Sequence, residues 1–161
     1  MAQKELMLPL PRRFFVTSGS AVSMVSDLNA FDKALIRAGI GEQNIVSVSS
    51  VLPQGIRQVK RENLPAGMIT HCILAQQRGS EGEMISAGIA YAFREDGKAG
   101  YVAEAHAYGT RKALQEILEW KLEEMARLRG LRFGAIEYKI EDLSIPMDHY
   151  GACIAALVFL M

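Results

Sequence analysis

Hydrophobic residues are arranged along this chain in two different patterns. In most segments they run continuously or alternate with polar residues, which is typical of strands in a buried sheet. This pattern predicts about seven strands, over residues 13–17, 45–51, 68–76, 84–93, 101–107, 135–145 and 151–160. In two other segments apolar residues recur every three or four positions, which predicts helices over residues 30–38 and 111–129.

Capping residues and turn formers mark the ends of these elements. Asn29 is suited to cap the first helix, and Gly39 follows its last turn. Thr110 and Gly130 stand in the same positions around the long helix. Turns are predicted where Ser, Gly and charged residues cluster, over residues 18–20 and 78–82.

The order of the elements indicates the fold class. Most predicted strands follow another strand instead of alternating with helices, which favours an α+β fold with mainly antiparallel sheets. Several strands, such as CIAALVFL, are apolar on both faces, so we expect stacked sheets. With the two helices on the outer faces, the prediction is a four-layer αββα sandwich.

The composition limits the possible classes of function. Half of the 161 residues are hydrophobic, and a chain of this length is expected to form one domain, over residues 1–161. Its 18 Lys and Arg residues balance 18 Asp and Glu residues, so the net charge offers no general attraction to nucleic acid or to an anionic membrane. A neutral, apolar-rich chain fits a protein that buries surface in an oligomer.

The sequence also predicts a cytoplasmic location. Its first residues, MAQKELMLPLPRR, lack the apolar core of a signal peptide. The longest apolar run, residues 152–161, is too short to span a bilayer. Cys72 and Cys153 both lie in apolar runs, and in a reducing compartment we expect free core thiols and no disulfide.

Several common catalytic motifs are absent from the sequence. The three histidines, His71, His106 and His149, do not have the spacing of zinc ligands. The motif GIGEQN, residues 39–44, lacks the third glycine of a dinucleotide-binding loop and follows a helix, not a strand. Neither G-x-S-x-G nor G-x-x-x-x-G-K-[ST] occurs. We therefore expect neither a metal site nor a nucleotide site.

A few polar residues interrupt these apolar segments. The pair Ser49–Ser50 ends an apolar strand that begins at Asn44, and Glu104 lies between alanines in YVAEAHA. Asp32 lies near the start of the first helix. Each has an ordinary structural explanation, as a chance serine pair, a turn residue, a strand-edge carboxylate or a carboxylate near a helix start. A carboxyl in a strand as apolar as that of Glu104 either joins a buried network or has a raised pKa suited to proton transfer.

The context of the serine pair resembles a known family. The stretch LNAFDKALIRAGIGEQNIVSVSSVLPQG, residues 28–55, is similar to the self-cleavage region of the pyruvoyl-dependent arginine decarboxylases. Further similar stretches follow in the same order: LPAG at 64–67, GEMISAGIAYAF at 82–93, AE at 103–104 and YGACIAAL at 150–157. The resemblance implies a sandwich of two sheets between helices. It also implies homotrimers, or a multiple of them, with active sites between subunits.

The resemblance further implies that the chain cleaves itself between Ser49 and Ser50. The Ser50 hydroxyl would attack the Ser49 carbonyl, and Asn44 matches the family's donor to the oxyanion. Elimination and hydrolysis would leave a β chain, residues 1–49, and an α chain, residues 50–161, that begins with a pyruvoyl group. This covalent group would be the cofactor, with no pyridoxal phosphate and no metal.

The implied reaction is the decarboxylation of L-arginine to agmatine and CO₂, a step of polyamine biosynthesis. The pyruvoyl carbonyl would form a Schiff base with the substrate amine and take up electrons as CO₂ leaves. Glu104 matches the family's proton donor, and Asp32 matches the aspartate that binds the guanidinium. Leu28 and Gly41 match other pocket positions.

Three residues depart from the family pattern. Gln54 replaces a common second proline, His106 stands where a second glutamate is frequent, and Gln43 replaces a small aliphatic residue near the pocket. Two alternatives stay open. One is a pyruvoyl decarboxylase for another amino acid, such as lysine, whose ammonium group would meet Asp32. The other is an uncleaved, non-catalytic structural trimer.

Overall fold

The structure is a computed structural model, and it describes residues 10–161. Within these residues the chain forms nine strands and two helices. In chain order they are β1 (Arg13–Ser23), α1 (Asp27–Arg37), β2 (Asn44–Ser47), β3 (Val51–Pro53), β4 (Arg57–Gln58), β5 (Ile69–Ser80), β6 (Met84–Phe93), β7 (Ala99–Ala107), α2 (Arg111–Arg129), β8 (Glu137–Ser144) and β9 (Tyr150–Leu160). Most of the segment examined for a signal peptide, up to residue 9, lies outside the described residues. Neither helix in the described part has the length and apolar character needed to cross a membrane.

The strands form two sheets that pack face to face. The first sheet has the order β2-β5-β9-β1-β4, and the second has the order β3-β7-β6-β8. Neighbouring strands are antiparallel except for the pairs β2 with β5 and β1 with β4, which are parallel. Helix α1 covers the outer face of the first sheet and α2 the outer face of the second. This confirms the predicted α+β class and the αββα layering.

Three apolar layers hold the sandwich together, one between the sheets and one under each helix. Buried residues between the sheets include Phe14, Ile73, Ile85, Ile89, Val102 and Leu157. The layer under α1 includes Ala30, Ala34, Ala38, Phe15, Ile154 and Val158. The layer under α2 includes Leu114, Leu118, Leu122, Ala90, Ala103 and Ile140. Burial of these side chains is the main stabilising contribution to the fold.

Strand β1 is longer than the sequence predicts. Residues 18–20, predicted as a turn, continue the ladder with β9, where Gly19 pairs with Ile154. A Cβ at Gly19 would lie 2.5 Å from the carbonyl oxygen of Ala34 on α1. The predicted turn is therefore wrong, because the small residues at this point allow close approach of the helix.

The two helices differ in how well the sequence predicts their ends. Helix α2 has the predicted bounds, and its caps Thr110 and Gly130 are confirmed. Helix α1 begins three residues earlier than expected, because Ser26 is its N-cap and accepts a hydrogen bond from the Asn29 N–H at 3.1 Å. Asn29 therefore lies in the first turn of the helix and is not its cap.

Two further predictions concern β5 and the cysteines. Residues 78–80, predicted as part of a turn, continue β5 and pair with β9, and the chain reverses after Ser80. Gly82 has a φ of +79° in this reversal, a conformation that favours glycine.

Cys72 and Cys153 are both free and buried, which confirms the prediction of core thiols.

Candidate active site

The Ser49–Ser50 peptide lies where the chain crosses from one sheet to the other. The Val48 N–H donates to the Cys72 carbonyl of the first sheet at 3.0 Å. On the other side, the Ser50 carbonyl accepts from the Val102 N–H of the second sheet at 3.0 Å. The single strand predicted over residues 45–51 is therefore wrong, because β2 and β3 belong to different sheets.

The crossing leaves the peptide without support from either ladder. Ser49 is exposed and Ser50 is half-buried. Within residues 10–161, neither the backbone of Ser49 nor the hydroxyl of either serine has a hydrogen-bond partner. The Ser49 carbonyl is consequently free of competing donors, and the Ser50 hydroxyl is free to rotate.

Strand register brings Glu104 close to Ser50. Ser50 is bonded to Val102, and Glu104 follows two residues later on the same face of β7, which is the face turned toward the first sheet. Ser50 and Glu104 line a common cleft of about 490 Å³. Residues of α2 line its opposite wall: Ile117, Trp120, Lys121, Glu124 and Met125.

The surroundings of Glu104 favour its neutral form. Burial of the carboxyl raises its pKa, and the positive charges of Lys121 and His106 act in the opposite direction. Lys121 also donates from Nζ to the backbone carbonyl of Glu104 at 2.8 Å. The result is a carboxyl whose pKa is higher than that of an ordinary glutamate, at the edge of a mainly apolar cleft.

A second cleft lies on the other side of the serine pair. It has a volume of about 550 Å³ and is mostly apolar. Ser49 and His71 line it together with Val48, Val51 and Phe159. The two serines therefore face different clefts, which keeps the peptide bond between them accessible from both sides.

The other residues singled out by the sequence form a separate group. Leu28 and Asp32 lie four residues apart on the exposed side of α1. Gly41 follows in the turn, where a Cβ would lie 2.6 Å from the Ile36 side chain. Asn44 is the first residue of β2, and its Nδ2 donates to the Gly67 carbonyl at 2.9 Å.

Within one chain this group does not meet the serine pair. Asn44 begins β2 and lies five residues before Ser49, a separation of up to about 16.5 Å at about 3.3 Å per residue. None of the four residues lines the cleft shared by Ser50 and Glu104. The structure thus brings together Ser49, Ser50 and Glu104, and it leaves the α1 group apart from them.

Comparison with known proteins agrees with this geometry. Residues 13–161 match the family model of pyruvoyl-dependent arginine decarboxylase. The chain belongs to this family. The pyruvoyl-dependent arginine decarboxylase of Methanococcoides burtonii is 38% identical over 161 residues, covering 90% of this chain and 89% of that protein. Those of Methanothermobacter thermautotrophicus and Thermococcus kodakarensis are 34% and 32% identical, and the matches cover 90% and 92% of this chain and 94% of each relative.

Family membership identifies the class of enzyme and the cofactor. The protein is a decarboxylase, a carbon–carbon lyase, of a family that depends on a covalently bound pyruvoyl group. The crossing between the sheets suits such a group. Ser50, which would be its precursor, lines an open cleft, and the peptide bond before it has no hydrogen bonds that would have to be broken within the described residues.

Two side chains near Glu104 were not identified from the sequence. Lys121 lies within the apolar stripe of the long helix, and its ammonium reaches β7. Gln77 of β5 accepts a hydrogen bond from His106 Nδ1 across the two sheets at 2.9 Å. The signal for Lys121 was a charge within a stripe of leucines. Gln77 gave no comparable signal, because its partner lies 29 residues away in another sheet.

Proposed function

We propose that the chain cleaves itself between Ser49 and Ser50 and then decarboxylates L-arginine to agmatine and CO₂. The processed domain would consist of a β chain, residues 1–49, and an α chain, residues 50–161. The observation that carries this proposal is the position of the serine pair, between the sheets and beside Glu104 in one cleft. The names of the relatives, which are arginine decarboxylases, support the choice of substrate.

The cleavage uses groups of the chain itself. The Ser50 hydroxyl attacks the Ser49 carbonyl, the peptide C–N bond breaks, and an ester between the two residues replaces the amide. Elimination then frees the Ser49 carboxylate, and one water molecule replaces the amino nitrogen of residue 50, which leaves as ammonia. The unbonded Ser49 carbonyl supports this step, because it can change geometry without loss of a hydrogen bond.

In the second reaction Glu104 supplies the proton that replaces CO₂ on the substrate. The pyruvoyl group provides an electrophilic carbonyl that withdraws electrons from the substrate Cα when the amine is bound to it. Glu104 must be neutral to donate, and the partial burial that raises its pKa favours that form.

We assign the recognition of arginine to the group formed by residues of α1 and of the turn after it. Asp32 can accept two parallel N–H bonds from a guanidinium, beside Leu28 and Gly41. Since this group does not line the cleft of its own chain, we propose that it serves the cleft of a neighbouring copy in a homotrimer or a multiple of one. Asn44 belongs to the same group and would act as the oxyanion donor for the neighbour's serine pair.

Exposed apolar side chains on the same part of the molecule support an interface there. Leu28 is 60% exposed, and Ile69, on the strand paired with β2, is 65% exposed. Large apolar side chains exposed near the edge of a sheet are typical of surfaces that another subunit covers. A cytoplasmic location, expected from the sequence, stays a prediction.

Three measurements on the purified protein test the main proposal. Intact mass should give two chains that divide after residue 49, and an amine assay with arginine should detect agmatine. A chain that stays whole after prolonged incubation would support the uncleaved structural trimer. The native mass should correspond to three αβ units or a multiple of three.

Mixed trimers test the origin of Asp32. Ser50→Ala should be inactive, and Asp32→Asn should be poorly active at arginine concentrations well below its raised KM, because each lacks one half of every site. Random mixing in equal amounts restores complete sites at roughly a quarter of the interfaces, if each site combines Ser50 of one chain with Asp32 of the next. No recovery in verified mixed trimers would place both halves in one chain.

Another amino acid is the second candidate substrate. Gln43 and Gly41 line a small cavity of about 210 Å³ at the end of α1, where Nε2 of Gln43 donates to the carbonyls of Leu64 and Pro65. The exposed Asp32 carboxylate can accept hydrogen bonds from an ammonium as well as from a guanidinium, so lysine belongs in the amine assay beside arginine.

A further inference from the structure

Decarboxylation of an amino acid consumes one proton in each turnover. The bond between Cα and the carboxyl carbon breaks, CO₂ leaves, and the electron pair that remains takes up a proton. If Glu104 donates this proton, it is left as a carboxylate that must be protonated again before the next turnover. Glu104 is exposed in the single chain, but the proposed trimer places a neighbouring copy over its cleft. A path from solvent to Glu104 is then part of the reaction.

His106 is placed to serve this path. It follows Glu104 by two residues on β7, so both side chains project from the same face, about 6.6 Å apart along the strand. His106 is exposed, so its ring can exchange protons with water. It is also one of the two positive charges that act on the Glu104 carboxyl.

A pair of hydrogen bonds fixes the tautomer of His106. Gln77 Nε2 donates to the Arg78 carbonyl at 2.8 Å, which orients the amide and leaves Oε1 as the acceptor for His106 Nδ1 at 2.9 Å. The hydrogen of the neutral ring therefore resides on Nδ1. Nε2 is left to gain and release the proton that the ring exchanges.

We propose that His106, held by Gln77, carries the proton from solvent to Glu104 after each turnover. The inference rests on the proposed role of Glu104 as donor. Water protonates Nε2 of His106, the imidazolium releases that proton to the Glu104 carboxylate directly or through one water molecule, and the ring returns to its Nδ1–H form. No other co-reactant is needed, and the charge lost from the ring balances the charge lost from the carboxylate.

The other ionisable groups around Glu104 are less suited to this transfer. Lys121, across the cleft on α2, has its ammonium engaged in a hydrogen bond to the backbone carbonyl of Glu104 at 2.8 Å. The Glu124 carboxyl has a lowered pKa because it accepts hydrogen bonds from a neighbouring guanidinium. Burial raises the pKa of the Cys72 thiol on β5 to about 12. An imidazole, with a reference pKa of about 6.5, exchanges protons in both directions.

The first experiment is NMR of the histidine rings in the assembled protein, which needs no turnover. The neutral His106 ring should be the Nδ1–H tautomer. Gln77→Met removes the acceptor of this hydrogen, so the Nε2–H form should gain population at His106 while the tautomer of His149 stays the same. A dominant Nε2–H tautomer in the wild-type protein, or a His106 tautomer indifferent to Gln77→Met, would overturn the proposal.

The second experiment measures turnover of processed His106→Gln protein. We expect kcat to fall by about 10²-fold, the lower end for general acid–base catalysis, with an unchanged KM. Added imidazole should restore part of kcat with saturation, and it should have no effect on His149→Gln, the matched control. Full activity of His106→Gln, or a loss that imidazole does not relieve, would contradict the relay.

Variants of Gln77 distinguish an effect on the orientation of the His106 ring from an effect on folding. Gln77→Glu keeps an acceptor for Nδ1 and should retain most of kcat, whereas Gln77→Met should lower it although His106 is still present. Equal activity of both variants would contradict the role of Gln77. A processed wild-type protein that releases no amine from arginine would reject the proposed substrate, and the tautomer measurement would still decide whether Gln77 holds His106.

Discussion

The cleft at the sheet crossing and the outer side of α1 differ in how much of their surroundings one chain supplies. At the crossing, strand register alone places Ser50 beside Val102 and two residues from Glu104. On α1, Leu28 and Asp32 project from the exposed side of the helix and meet no part of that cleft. In the proposed function, the first region supplies the nucleophile and the proton donor, and the second supplies the oxyanion donor and the residues that select the substrate.

This difference indicates that the chemistry at the crossing and the selection of the substrate can be changed separately. In the proposed function, one chain brings together the nucleophile of self-cleavage and the proton donor. The group that selects arginine, and Asn44 as oxyanion donor, become part of a site only when another copy covers them. Substitutions of Ser50 and Glu104 should therefore affect chemistry, and substitution of Asp32 should affect substrate binding.

The largest effect is expected from Ser50→Ala. No hydroxyl remains to attack the Ser49 carbonyl, so the chain should stay whole and arginine decarboxylation should be abolished. Mass spectrometry and the amine assay measure the two effects separately. Ser47→Ala, an exposed serine at the end of β2, is the matched control and should cleave normally. Cleavage of Ser50→Ala after residue 49 would remove Ser50 as the nucleophile.

The next effect is that of Glu104→Gln. The amide keeps the size and polarity of the side chain but cannot deliver a proton, so kcat of the processed fraction should fall by roughly 10²–10⁴-fold. Cleavage can slow as well, since the same side chain lies near Ser50, and turnover is therefore measured per processed chain. Glu124→Gln, from the opposite wall of the same cleft, should have a small effect. A wild-type rate for processed Glu104→Gln would make another group the donor, with His106 the first to test.

The third effect is expected from a substitution on α1. Asp32→Asn should leave cleavage and kcat nearly intact and raise KM for arginine by at least about 30-fold, because a buried charge pair is lost on binding. Asp27→Asn, in the first turn of the same helix, is the control for a change of charge there. An unchanged KM would show that Asp32 does not bind arginine, and it would contradict the assignment of substrate selection to the α1 region.

The sequence predicted the elements of the fold better than their connections. Periodicity identified both helices and the long strands, because these elements bury residues with a regular repeat. It missed the break between β2 and β3, since the apolar residues on both sides of Ser49 look the same whether they enter one sheet or two. The turn predicted around Gly19 was wrong, because a glycine needed for helix packing gives the same local sequence pattern as a glycine in a turn.

For the site, the sequence supplied the identities of the residues and the structure supplied their grouping. The resemblance pointed to Ser50, Glu104 and Asp32 together. Strand register joins the first two, and a helix on the opposite side of the sandwich carries the third. The partnership of His106 with Gln77 could not be predicted, because it depends on how two sheets face each other and not on any local pattern.

The smallest expected effect concerns the pH dependence of the first region. Burial raises the pKa of Glu104, and the ammonium of Lys121 lowers it. Because the protonated carboxyl is the active form, kcat should be highest below this pKa and should fall as the pH rises through it. Lys121→Met removes a positive charge, so the pKa should rise further and the alkaline fall of kcat should move to higher pH. Lys112→Met, a lysine of the same helix that does not line the cleft, should leave the profile in place. A shift to lower pH in Lys121→Met would mean that the alkaline fall belongs to a group other than Glu104.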